Sequence, residues 1–181
     1  MVKLRKNLWV WGGLIPVIII IFDQLTKFWA INKFNAPQNI CAVNPYPGLK
    51  IELSPIFDLA LVCNQGVSFG MFSSSSTLTR TVLTLFAIAM CGFLLTWINK
   101  EKDKLMSFAL ALIIGGAIGN AIDRARFGAV TDFLSFDDIG FRWVFNVADS
   151  AITCGVIGLI LAMILQDRAA KKSAKNTAKS P

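Results

Sequence analysis

The sequence predicts an all-α polytopic membrane protein: four transmembrane helices, with a small antiparallel β-sheet in the first extracytoplasmic loop. Three observations lead there. The 181 residues are 55% hydrophobic with a mean hydropathy of +0.60, too apolar for an ordinary soluble domain. Apolar runs long enough to cross a hydrocarbon core of roughly 30 Å recur four times. The net charge of +7 sits largely beside those runs, where basic residues report membrane orientation. It does not read as a nucleic-acid surface, because no aromatic residues interleave with it to stack bases.

The chain opens basic and turns abruptly apolar, and the first span is expected at about 8–31. A cleaved leader is disfavoured, since no small-x-small cleavage site follows and further spans come later. Asp23 and Lys27 stand four apart, one above the other on a helix face. They read as an internal ion pair at the helix end, with orientation of a polar site by Asp23 as the alternative. Residues 32–77 form an outer loop with prolines at Pro37, Pro45, Pro47 and Pro55. Partial alternation in GLKIELSPIFDLALVCN predicts short strands there. NQGVSFGMF (64–72) follows, with Gly66 and Gly70 suited to turns or close approach, and the serine run 73–76 closes the loop.

The second and third spans are expected at about 78–97 and about 105–122, joined by the charged turn NKEKDK, and the fourth at about 145–165. Residues 1–166 make a single membrane domain, and the basic tail 167–181 is expected to be disordered, for lack of large apolar residues. Eleven of the eighteen basic residues (Lys3, Arg5, Lys6, Lys100, Lys102, Lys104, Arg168, Lys171, Lys172, Lys175 and Lys179) fall on one side, against three acidic ones. The other side and its helix ends hold seven basic and eight acidic residues. The positive-inside rule then predicts cytoplasmic termini and outward-facing long loops.

Chemistry concentrates between Gly115 and Asp149. Asn120, Asp123 and Arg124 fall at i, i+3, i+4 near the end of the third span. There an Asp123–Arg124 pair reads as structural, and Asn120 as touching a site or holding its neighbours. Gly115 and Gly119 form a G-x-x-x-G pair that admits a neighbouring helix. Asn146 and Asp149 stand three apart where the fourth span begins, a spacing that also suits an N-terminal cap. Asp132 lies in VTDFLSF between apolar residues, where a solvated loop aspartate is not expected; a turn-forming aspartate is the plainer alternative. Histidine is absent, which removes Ser-His and Cys-His nucleophile pairs and the H-E-x-x-H zinc site. The four cysteines have no C-x-x-C spacing, though Cys41 and Cys63 both fall on the oxidising side, where they could close a disulfide. Two carboxylates in a partly desolvated site share one proton, so one can activate water while the other polarises a carbonyl. That chemistry needs no metal or cofactor. A proton-relaying transporter would instead spread polar groups through the midplane of several helices. A scaffold without chemistry leaves the aspartates unexplained.

FDQLTK (22–27), NQGVSFG (64–70), GGAIGNAIDR (115–124), VTDF (130–133) and FNVADSAI (145–152) resemble the sequence blocks of lipoprotein signal peptidase, or signal peptidase II, in the same order. The resemblance covers nearly the whole chain between its tails. It implies an aspartyl endopeptidase of the bacterial cytoplasmic (inner) membrane, with its active site at the extracytoplasmic face. That enzyme removes the signal peptide of diacylglyceryl-modified prolipoproteins by cleaving before the lipidated cysteine. The implied catalytic pair is Asp132 and Asp149, with Asp23, Asn64, Asn120, Asp123, Arg124 and Asn146 supporting it or contacting substrate. The implied partners are lipid-modified prolipoprotein and membrane lipids, with no nucleic acid, no cofactor and no metal. Two departures concern the outer loop: QNICAVNPYPG (38–48) looks inserted, and Cys63 stands where a basic or polar residue is expected.

Overall fold

The structure, a computed structural model, describes residues 9–37, 39–43, 49–66 and 77–177. Four helices are long and apolar enough to cross a membrane, over Val10–Lys33, Thr77–Lys100, Lys104–Phe127 and Val147–Lys172. The first begins as a π-helical stretch, Val10–Leu14, and continues as α1, Ile15–Lys33. A short helix, α2, covers Ile40–Val43, followed by strands β1 (Leu49–Glu52) and β2 (Asp58–Asn64). Helices α3 (Thr77–Lys100) and α4 (Lys104–Phe127) lead to β3 (Val130–Phe136) and β4 (Phe141–Phe145), and α5 (Val147–Thr177) ends the chain.

Helix α4 is the axis of the bundle and packs on α1, α3 and α5. Its apolar window is 61% buried, whereas those of the other three spans are 28% or less and present their side chains outward. Ile18, Phe22, Leu25, Val82, Leu85, Phe86, Ile157 and Ile160 are all exposed, as expected of surfaces that lipid covers. Small residues let α4 occupy that position. A side chain at Gly115 would run into Ile19 of α1, and one at Gly116 into the Ala148 carbonyl of α5. The expected pairing of Gly115 with Gly119 is therefore only part of the arrangement, since Gly116 admits a second helix. Asp103 caps the start of α4 by accepting from the Met106 amide at 2.8 Å. Gly128 ends it in the left-handed conformation, φ 79°, its amide returning to the Arg124 carbonyl.

The expected antiparallel sheet is present, and it is larger than the first loop alone. Its order is β1-β2-β3-β4, all pairs antiparallel, so each long loop contributes two strands. The strand alternation in β3 puts Thr131 and Phe133 on one face and Asp132 on the other. Phe133 joins an apolar cluster with Ala30, Ile31, Phe34, Ile40, Cys41, Leu59 and Leu61. Both faces of the strand are thus covered, and the polar Thr131, Asp132 and Ser135 are buried along with Val130 and Phe133. On the outer side, Lys50 reaches the buried Asp58 at 2.8 Å and Asp138 at 3.3 Å, tying β1, β2 and the turn before β4.

Cys41 and Cys63 form a disulfide, with Cα atoms 5.3 Å apart, that fastens α2 to the end of β2. Helix α5 runs on to Thr177, beyond the point where the sequence reading begins a disordered tail. Alanine, lysine, arginine and glutamine are good helix formers, so this segment continues the helix without an apolar face. The N-terminal basic residues Lys3, Arg5 and Lys6, the serine run 73–76 and Lys179 lie outside the described residues, as do parts of NQGVSFG and of the inserted loop.

Candidate active site

Five side chains from four elements meet where α4 and α5 adjoin the sheet. Asp132 enters from β3 and is 2% exposed. Its Oδ1 accepts from Asn146 Nδ2 at 2.6 Å, and its Oδ2 from Asn64 Nδ2 at 3.2 Å. Asp149, in the first turn of α5, accepts on Oδ1 from Asn120 Nδ2 at 2.7 Å. The two asparagines join the aspartates, because Asn146 Nδ2 also donates to Asn120 Oδ1 at 3.2 Å. Asn146 is the helix cap as well: its Oδ1 accepts the Asp149 amide at 2.9 Å. Asn146 thus caps the helix while its other side-chain atom holds Asp132.

The amide assignments follow from valence. Asn146 Nδ2 faces Asp132 Oδ1, Asn120 Oδ1 and the Thr131 carbonyl, all acceptors, so the atom there has to be nitrogen. Its oxygen is left to receive the Asp149 amide. These bonds hold both carboxylates in fixed orientations at the boundary between bundle and sheet.

A second layer lies beneath. Asp23 and Lys27 form the expected ion pair at 2.8 Å, and Asp23 Oδ1 also accepts the Ala148 amide at 2.9 Å. Asp23 therefore both pairs with Lys27 and accepts an amide at the start of α5. Asp123 does not take Arg124 as its partner. It pairs with Lys27 at 2.9 Å, accepts from Gln24 Nε2 at 2.9 Å, and receives the Thr131 amide at 3.1 Å, anchoring β3. The physical reason is direction: adjacent helical residues diverge by about a hundred degrees, so Asp123 points into the bundle and Arg124 aside. Arg124 instead donates from Nη2 to the Gly66 carbonyl at 3.1 Å. Its buried Nε has no hydrogen-bond partner among the described residues.

Lys27 and Gln24 take part in this cluster although neither stands among the site residues expected from sequence. The signal was available: three polar side chains at i, i+1 and i+4 within one apolar span are costly unless they meet partners. Asp137 and Asp138 lie on the exposed turn before β4, apart from the cluster.

Burial, and next the neighbouring charge of Asp149, push the Asp132 carboxyl up to about 8, against the opposing hydrogen bonds of Asn64 and Asn146 and the charge of Lys27. At neutral pH the pair therefore retains a proton. An arrangement with one charged and one protonated carboxyl can abstract a proton from water and donate one to a carbonyl oxygen.

Residues 15–165 match the family described as signal peptidase (SPase) II. The chain is similar to the lipoprotein signal peptidase of Methylobacterium radiotolerans, 40% identical over 157 residues, 86% of each chain. It is also 40% identical over 158 residues to the lipoprotein signal peptidase of Bartonella tribocorum, covering 86% of this chain and 87% of that one. A solved structure described as a bacterial membrane enzyme, determined by the in meso method at 2.3 Å resolution, superposes with a TM-score of 0.71. It is 31% identical, over 87% of this chain and 89% of that one.

Proposed function

The chain belongs to the signal peptidase II family of membrane aspartic endopeptidases, and from that premise we propose that Asp132 and Asp149 are its catalytic pair, acting on lipid-modified prolipoproteins. The single observation that carries the assignment is the bonded chain Asp149–Asn120–Asn146–Asp132, which holds two carboxylates from different elements in one partly buried site. Asp149, the more exposed of the two and held by Asn120, is the general base. It takes a proton from water as the oxygen attacks the scissile carbonyl carbon. Asp132, the more reluctant to ionise, gives its proton to the carbonyl oxygen. Collapse of the resulting tetrahedral diol breaks the C–N bond, the amine leaving with the proton that Asp149 acquired and Asp132 regaining its own from the diol.

Asn64 holds Asp132, Asn120 and Asn146 orient the pair, Asp23 and Asp123 anchor α5 and β3 around it, and Arg124 contacts the substrate backbone. Its unpartnered Nε and its bond to Gly66 support that last role. The site sits at one end of the bundle, on the side of the long loops. It therefore faces a signal peptide at the outer surface of the cytoplasmic membrane, with the diacylglyceryl chains of the substrate in lipid beside it. The test is direct. Purified protein incubated with diacylglyceryl-modified prolipoprotein should release the signal peptide by cleavage before the modified cysteine, and the unmodified precursor should be spared. Cleavage elsewhere, or equal cleavage of both precursors, refutes the substrate assignment.

A further inference from the structure

Beneath the aspartate pair lies Lys27, a charged residue that the reaction as described does not use. Its ammonium is buried and reaches Asp23 Oδ2 at 2.8 Å, Asp123 Oδ2 at 2.9 Å and Asn120 Oδ1 at 3.1 Å. The first two contacts are ion pairs and would serve stability alone. The third, to a neutral amide, has a different consequence. An ammonium offers three donors and no acceptor, so the Asn120 atom facing it has to be oxygen. The amide nitrogen must then point the other way, and what it meets is Asp149 Oδ1 at 2.7 Å. The Asn120 oxygen also receives Asn146 Nδ2, which in turn donates to Asp132 Oδ1. With no donor in place of Lys27, only the Asn146 amide still holds the Asn120 oxygen, so the amide that faces Asp149, and with it the orientation of both aspartates, is less firmly set.

We propose that Lys27 is a positioning residue for the aspartate pair: by donating to Asn120 Oδ1 it sets the side-chain amide that presents a hydrogen bond to Asp149 and, through Asn146, aligns Asp132. This rests on the reading of Asp132 and Asp149 as the catalytic pair. The charged groups around Lys27 are Asp23 from its own helix, Asp123 from α4, Asp132 from β3 and Asp149 from α5. Its positive charge therefore also acts on the proton that the pair shares.

Lys27→Met alone would strand Asp23 and Asp123 without a counter-charge, so the comparison is made in an Asp123→Asn background. There the double variant keeps the net charge of the wild-type trio. Relative to Asp123→Asn, adding Lys27→Met should lower kcat on lipid-modified prolipoprotein by about 10- to 100-fold, with KM nearly unchanged. The alkaline limb of the rate should move to higher pH. Lys27→Gln in the same background, whose amide nitrogen can still donate to Asn120, should recover about tenfold over Lys27→Met, with rates normalised to folded protein. Equal kcat for the Met and Gln variants, or a Met variant that matches Asp123→Asn in rate and pH profile, overturns the proposal. The underlying reading is checked apart: if Asp132→Asn or Asp149→Asn retains turnover, the catalytic assignment itself falls. If both abolish cleavage while the Lys27 series is flat, only the positioning role falls.

Discussion

An aspartate on a strand of a small outer sheet would ordinarily meet water and ionise; Asp132 is 2% exposed and its carboxyl is pushed up to about 8. Two consequences can be measured. Activity should be bell-shaped in pH: the acid limb marks loss of the charged base, and the alkaline limb, near about 8, marks loss of the shared proton. Stability follows with a definite sign. A carboxyl raised in the folded state contributes stability that is fully present below its unfolded value, about 3.9, and lost as pH rises through the folded one. Thermal unfolding in detergent should therefore occur at lower temperature above about pH 8 in the wild type. Asp132→Asn should lack that decline, and a decline of equal size in the variant would refute the shift. The same substitution, or Asp149→Asn, should abolish cleavage while leaving folded protein in the membrane. The double variant should be no worse than either single one, because residues acting as a unit are not additive. Asp137→Asn, on the exposed turn, should cost little. Residue identity was the most legible part of this molecule: an aspartate flanked by Val130, Thr131, Phe133 and Leu134 announces burial. Partnership was not legible, as Asp123 shows, because its real partner Lys27 is contributed by another span.

At the scale of elements, the helices were legible because an apolar run of spanning length has few other fates, and their ends were not. Helix α4 continues past about residue 122 to Phe127, since its last turn is held by a glycine cap and by partners on α1 and β3 that periodicity does not report. Strands β3 and β4 escaped notice for a related reason. Pairing of β2 with β3 across two spans, as of Val62 with Asp132, leaves no local pattern. The close approach of α4 and α5 supplies a test of how the elements hold the site. A methyl group at Gly116 would overlap the Ala148 carbonyl, one peptide from Asp149. Gly116→Ala should displace the start of α5 and reduce kcat by roughly 100-fold even where the protein remains folded. Wild-type turnover would mean that the approach is slack. The disulfide acts on the other side of the site: Cys63 pairs in register with Thr131 and precedes Asn64, so it holds the strand end that supports Asp132. Without reductant, alkylation and mass spectrometry should find Cys91 and Cys154 modifiable in the unfolded chain and Cys41 and Cys63 protected. Serine at both positions should cost on the order of 3 kcal/mol for a loop of this length.

For the whole molecule, the sheet constrains topology independently of charge. Strand β2 precedes α3 and strand β3 follows α4, yet the two pair in register, Val62 opposite Asp132. Two consecutive spans separate them, so the chain leaves and returns to the same side, and both long loops must lie together. The 101–103 turn is then opposite, and so is the C-terminal end of α5. For which side is which we propose the reading of the charges: Lys102 lies in the turn with Lys100 and Lys104 at its ends, while Arg168, Lys171, Lys172 and Lys175 crowd the end of the last helix. The Cys41–Cys63 bridge lies on the loop side and points the same way, since structural disulfides persist in oxidising compartments. Reporter fusions after residue 102 and at the C-terminus should therefore report cytoplasm, and one near residue 45 should report the exterior. Because pairing of β2 with β3 ties the loops together, these reports have to change as a set. A C-terminus outside with the 101–103 turn also outside would reverse the orientation and move the aspartate pair to the cytoplasmic face. A turn and a loop on the same side would contradict the fold itself.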